Sequence, residues 1–187
     1  MAKPVPDFFT HFIGGCMMSP GMRSAVLVVV AVIAYSTAMA QIGASQPDKG
    51  KPDPRVKAIL EEADVKYTID GDGDYRVVNR VDSTRTQLAW ILSRTSNYGK
   101  IEVRDVISIA YKTSENLSPR LMQRLLEANN RTKIGAWAIQ REGDQTIVLF
   151  RTQIAANTDA LLLLHAILAV TLSADALEQE LLGTDDY

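Results

Sequence analysis

The apolar residues of this chain fall into three patterns: one unbroken run near the start, alternation by two through the middle, and helical spacing at three places. The unbroken run is Ala25-Val26-Leu27-Val28-Val29-Val30-Ala31-Val32-Ile33-Ala34, closed by Ala38-Met39-Ala40. Its core of about ten residues is roughly half of what a bilayer-spanning helix needs. With small residues just before Gln41, it predicts a secretory signal over residues 1–40, cleaved near Ala40. An uncleaved inner-membrane anchor over residues 25–40 is the second reading. Met22-Arg23-Ser24 supplies the short basic lead that Met1 to Gly21 lacks, so translation is expected to begin at Met22.

Residues 41–52, rich in Gly, Ser, Pro, Asp and Lys, have nothing to bury and read as a flexible leader. Order is expected from Asp53-Pro54, a cap followed by a proline at the first helical position. Val56, Ile59, Leu60 and Ala63 then recur at helical spacing. Lys66 to Ile69 and Tyr75 to Asn79 flank Asp70-Gly71-Asp72-Gly73-Asp74 and predict a hairpin. Thr86 to Ser93 is a third strand, Ser96 to Gly99 a loop, and Ile101 to Tyr111 a fourth strand. In that fourth strand Val103, Ile107, Ile109 and Tyr111 share one face and Arg104, Val106 and Ser108 the other. Ser118-Pro119 opens a second helix that ends at Asn129-Asn130. Ile134 to Gln140 and Thr146 to Ile154 form another hairpin around Glu142-Gly143-Asp144. The pattern is α-β-β-β-β-α-β-β-α, an α+β fold with an antiparallel sheet and helices packed on one side of it.

A long helix from Asp159 to about Leu182 closes the domain, and Thr184-Asp185-Asp186-Tyr187 reads as a frayed tail. From Ala160 to Leu172 this helix is apolar nearly all round. A helix lying on a sheet buries one stripe only. Leu161, Leu164 and Leu168 form one stripe, whereas Leu162, Leu163, Ala166, Ile167 and Val170 point elsewhere. Either another element of this chain or a second copy must cover that side, and a second copy, giving a homodimer, is the expectation. Leu162, His165, Ile167 and Trp137 are the candidate partner-facing residues.

Composition narrows the chemistry. The single cysteine, Cys16, and one of the two histidines, His11, precede the predicted cleavage point. The exported part thus has no disulfide and rests on core burial, which about 150 residues can supply by burying roughly 70 % of their unfolded surface. With Lys3, Arg23 and Asp7 removed, 18 basic and 21 acidic side chains remain, net −3, which argues against a nucleic-acid binder. One histidine and no cysteine exclude the usual zinc sites. No nucleophile elbow or phosphate-cradling loop occurs, so no cofactor or catalytic residue is assigned. Asp70-x-Asp72-x-Asp74 suggests calcium, but an EF-hand needs Gly and Glu where Tyr75 and Val81 stand, and a plain turn is the better account. Arg76, Arg80, Arg94, Arg104 and Arg151 are expected on a solvated sheet face.

The run Ser118-Pro119-Arg120-Leu121-Met122-Gln123-Arg124-Leu125-Leu126-Glu127-Ala128-Asn129-Asn130 is similar to the helix of the YbjN-like family, labelled bacterial sensory transduction regulators. So are the strand from Ile134 to Ile139, the turn Glu142-Gly143-Asp144, the strand from Thr146 to Arg151 and the closing helix. Asp72-Gly73-Asp74-Tyr75 resembles the family's first half more loosely, and the likeness spans residues 53–182 within a domain of 53–183. It implies a fold like that of type III secretion chaperones, which are often dimeric and bind extended segments of partner proteins. It carries over no catalytic residues, and the chain departs from those chaperones in bearing an export segment. The expectation is an exported, periplasmic or secreted, non-enzymatic binding protein with a polypeptide partner, touching membrane only through its signal. A carboxylate-dependent envelope hydrolase and a purely structural dimer are the alternatives.

Overall fold

The computed structural model describes residues 50–187. The export segment, the cleavage near Ala40, the start at Met22 and most of the leader lie outside the described residues. Nine elements follow in order: α1 (Pro54–Glu62), β1 (Thr68–Ile69), β2 (Tyr75–Arg80), β3 (Thr86–Tyr98), β4 (Ile101–Thr113), α2 (Pro119–Asn129), β5 (Ala136–Glu142), β6 (Gln145–Ala155) and α3 (Ala160–Leu181). The strands form one six-stranded sheet in the order β1-β2-β3-β4-β6-β5, every neighbouring pair antiparallel.

Each helix starts where a short polar side chain can satisfy a free N–H of the first turn. Asp53 accepts from the Arg55 N–H, Ser118 from the Leu121 N–H and Asp159 from the Leu162 N–H. The hairpin turn after β1 is held the same way. Asp70 Oδ1 accepts from the main-chain N–H of Asp72 and Asp74, and Asp74 Oδ1 from that of Ser93 at 2.7 Å. These carboxylates are engaged by the backbone, which is what a structural turn requires.

The main core lies between one sheet face and the helices α1 and α3. It joins Val56 and Leu60 of α1, Tyr75 and Val77 of β2, Ala89 and Ile91 of β3, Val106 of β4, and Phe150 and Ile154 of β6 to α3. A second cluster under α2 gathers Leu125, Ala110, Val148, Ala174 and Leu177. Trp137 packs against both clusters, its ring edge-on to Phe150 with centroids 5.1 Å apart. The opposite sheet face carries a third cluster of Ile109, Ile147 and Leu149, with Trp90, Ile107 and Tyr187 against it.

Four local features differ from the pattern in the sequence. β3 runs on to Tyr98, pairing Ser96 with Val103 and Asn97 with Glu102, so the polar segment read as a loop is a strand overhang closed by the two-residue turn Gly99-Lys100. In β4 the pairing slips between Ile109 and Tyr111, where Ala110 is the extra residue. That bulge moves Tyr111 off the face of Ile107 and Ile109 and into the cluster under α2. Arg104 is 1 % exposed, because it is paired with Asp53 and donates to the Leu92 carbonyl. The last four residues, read as a frayed end, lie against the fold through contacts described below.

Candidate functional site

α3 is 22 residues long and apolar enough to cross a membrane by length and composition, yet nine of its residues are buried in the fold. Its inward track runs Leu163, Ala166, Ile167, Val170, Ala174, Leu177, the i, i+3, i+4, i+7 spacing of one face. The outward track is apolar as well. Leu161 is 66 % exposed, Leu162 41 %, Leu168 42 % and Leu172 49 %, with exposed His165 among them.

This corrects the expected phase of the helix. Ile167, a candidate partner residue, is 4 % exposed inside the main core, and Leu163 is fully buried beside it. Leu161 and Leu168, assigned to the sheet, face outward. Leucines all round the helix leave its rotation undetermined by apolar pattern alone. Polar pairs under its second half fix it: Asn79 Nδ2 donates to Thr171 Oγ1 at 2.8 Å and Arg85 Nε to Asp175 Oδ1 at 2.6 Å. Turning the helix to bury Leu168 would leave those buried groups without partners. Trp137 is half-buried core packing, apart from the α3 surface. Of the four candidates, only Leu162 and His165 share one face. His165 Nδ1 lies 2.8 Å from the Leu161 carbonyl of its own helix.

A second surface lies at β5, the last strand of the sheet. Asn129, at the end of α2, accepts the Trp137 N–H at 2.6 Å and donates to the Trp137 carbonyl at 3.3 Å. Trp137 therefore turns its main-chain groups to the free side of β5, and by strand alternation so do Ile139 and Arg141. Ile139 is 46 % exposed there. Met122 and Leu126 are exposed on the stripe of α2 that also carries Asn129. Among the described residues this edge thus offers unpaired backbone groups flanked by apolar side chains, an arrangement that suits an extended peptide.

Two charge networks serve the scaffold. Asp53 receives Arg55 and Arg104, and Arg55 also forks onto Glu102. Burial alone would raise the Asp53 carboxyl, but hydrogen bonds from Arg55 and Arg104 outweigh it and hold the group at about 2. Hydrogen bonds from Arg55, then Thr95, bring Glu102 to about 2. The other network joins Arg85 to Asp175 and, at 3.9 Å, to both Glu178 and Asp185. Burial pushes the Glu178 carboxyl up. Asn129, Arg85 and Arg104 carried no signal in the sequence beyond their types, because each acts through a partner more than seven residues away.

No family model matches the chain, and no curated protein matches it.

Proposed function

We propose that this protein is an exported, non-enzymatic binding protein, resembling YbjN-like regulators with a type III secretion chaperone-like fold. In this reading it pairs with a second copy through α3 and takes a polypeptide partner in the cell envelope at the β5 edge. One observation carries the reading: four leucines on one face of α3 remain at least two-fifths exposed beside His165. An aligned apolar stripe of that kind marks an association surface. The same stripe meeting its own symmetry mate is self-complementary, as a two-fold interface requires. The β5 edge supports the polypeptide partner, since only another backbone matches its alternating donors and acceptors.

The test is light scattering on residues 41–187, together with the Leu161→Asp/Leu168→Asp double variant. A wild-type dimer and a folded monomeric variant are the expected results. Fixed-length synthetic peptides rich in alternating Val and Thr should bind the wild type and protect the Ile139 and Arg141 amides from exchange. A wild-type monomer that protects neither amide, and instead turns over a glycoside or ester substrate, would reverse the reading in favour of a hydrolase.

A further inference from the structure

Helix α3 ends at Leu181 with Leu182 as its cap, and Gly183, with a φ of +69°, turns the chain sharply off the helix axis. The four residues that follow pass round the end of the sheet where β3 begins and β4 finishes. Arg85 Nη1 donates to the Thr184 carbonyl at 2.7 Å. The Thr86 N–H reaches both carboxylate oxygens of Asp185 at 3.3 Å. Glu178 Oε1 accepts the Asp186 N–H at 2.5 Å. The Tyr187 ring then lies on the far sheet face against the cluster of Ile109, Ile147 and Leu149, with Lys112 Nζ 5.5 Å from its centroid.

These contacts are those by which a protein holds a separate peptide. A carbonyl is gripped by a guanidinium, a carboxylate is set on a main-chain donor near a cation, and an aromatic ring is seated on apolar surface beneath an ammonium group. The receptor is also incompletely filled. Arg85 Nη2, in a side chain about nine-tenths buried, sits 3.9 Å from both Glu178 and Asp185 and hydrogen-bonds to neither. Glu178 Oε2, the carboxylate oxygen facing that Nη2, is likewise buried and accepts no hydrogen bond among the described residues. Such unpaired buried groups weaken the closed arrangement relative to one that would satisfy them.

We propose that the ledge formed by Arg85, Thr86, Lys112 and the Ile109–Ile147–Leu149 patch is a docking site for an acidic–aromatic peptide segment. The chain's own Thr184–Tyr187 fills it in cis as a displaceable plug. The inference rests on the polypeptide-binding reading and adds a second site with its own partner chemistry: a carboxylate on the Thr86 N–H and an aromatic ring two residues on, the intervening Asp186 folding its carboxylate back onto Thr184 Oγ1. The ligand's carboxylate lies on the Thr86 N–H beside Arg85 and its ring lies under Lys112, and Arg85 keeps its Nη groups for the peptide because its Nε is engaged by Asp175.

The test uses a fluorescent peptide Gly-Ser-Thr-Asp-Asp-Tyr with three proteins. These are the whole chain, a variant ending at Gly183, and a full-length variant carrying Asp185→Asn, Asp186→Asn and Tyr187→Ala. Both variants should bind the peptide at least tenfold more tightly than the whole chain. Lys112→Ala in either variant should reverse the gain, and a peptide with Asn-Asn in place of Asp-Asp should bind at least tenfold more weakly. Equal binding to all three proteins would overturn the proposal, as would equal affinity for the Asn-Asn peptide. Unfolding of both variants would also overturn it, by making the tail an integral part of the core. The Leu161→Asp/Leu168→Asp change, which tests the α3 interface, should leave peptide binding unchanged, so the two proposals fail separately.

Discussion

The side-chain amide of Asn129 meets the main chain of Trp137 twice, accepting its N–H at 2.6 Å and donating to its carbonyl at 3.3 Å. A side-chain amide is a peptide group without a chain, so Asn129 stands where the first residue of a seventh strand would stand. It also closes the sheet edge next to the core tryptophan and leaves the edge open beyond it. Asn129→Ala should cost about 1–2 kcal/mol, two modest hydrogen bonds, read as a lower urea midpoint. Faster exchange of the Trp137 amide should accompany it. Asn129→Asp keeps the acceptor and should recover part of the loss.

Gly135 precedes β5 with φ +79°, and a Cβ there would lie 2.5 Å from the Phe150 ring and 2.8 Å from the Arg151 carbonyl. The ring could shift, but the carbonyl belongs to β6 and cannot follow without breaking its ladder. Gly135→Ala should destabilise by roughly 2–4 kcal/mol, combining left-handed backbone strain with overpacking. Thermal unfolding that matches the wild type would contradict the geometry.

Breaking the buried Arg104–Asp53 pair should be far more damaging than breaking the exposed Arg124–Glu180 pair. Arg104→Ala is expected to cost about 3 kcal/mol, because Asp53 keeps only the more exposed Arg55 and the buried Leu92 carbonyl loses its donor. Asp53, held at about 2 when folded, stabilises the fold above its unfolded-chain value of 3.8. That contribution disappears as pH falls through about 2, so urea midpoints should drop on the acid side. In Asp53→Asn the drop should be smaller.

Glu178 titrates in the opposite sense. Burial raises its carboxyl above the ordinary 4.5, so its contribution is fully present below that value and lost as pH rises through the raised one. The Asp186 N–H and the Arg85 charge, which Asp175 shares, lower the group and Asp185 raises it, and together these do not offset the burial. Glu178→Gln should therefore flatten the decline in stability toward neutral pH while leaving the acid limb unchanged. A parallel pH profile for the two proteins would rule this out.

The two faces of α3 should answer differently to the same truncation. Ile167→Ala removes side-chain volume from the main core and should cost about 2–5 kcal/mol. Leu168→Ala, at a position already 42 % exposed, should cost well under that in the isolated subunit. Comparing the pair by chemical denaturation at low concentration isolates the fold from any association, which Leu168→Ala is expected to weaken.

Local chemistry alone marked out most of the elements. Asp53-Pro54 and Ser118-Pro119 announce helix starts because a cap and a first-turn proline act within four residues. Val148, Phe150, Thr152 and Ile154 share a face because alternation is built into a strand. The bulge at Ala110 was not legible, since an extra residue shows only against the partner strand β6. Nor was the burial of Arg104, whose type suggests solvent until Asp53 is placed opposite it.

The sequence by itself determined where most helices and strands lie, and that the last helix carries more apolar surface than one sheet can cover. Tertiary structure alone decided which side of that helix is left over. A ring of leucines is symmetric about the axis, so its rotation is set by polar groups that need partners: Thr171 with Asn79 and Asp175 with Arg85. Those partners come from the second strand and from the turn leading into the third, some ninety residues away, where no local pattern along the chain can point to them.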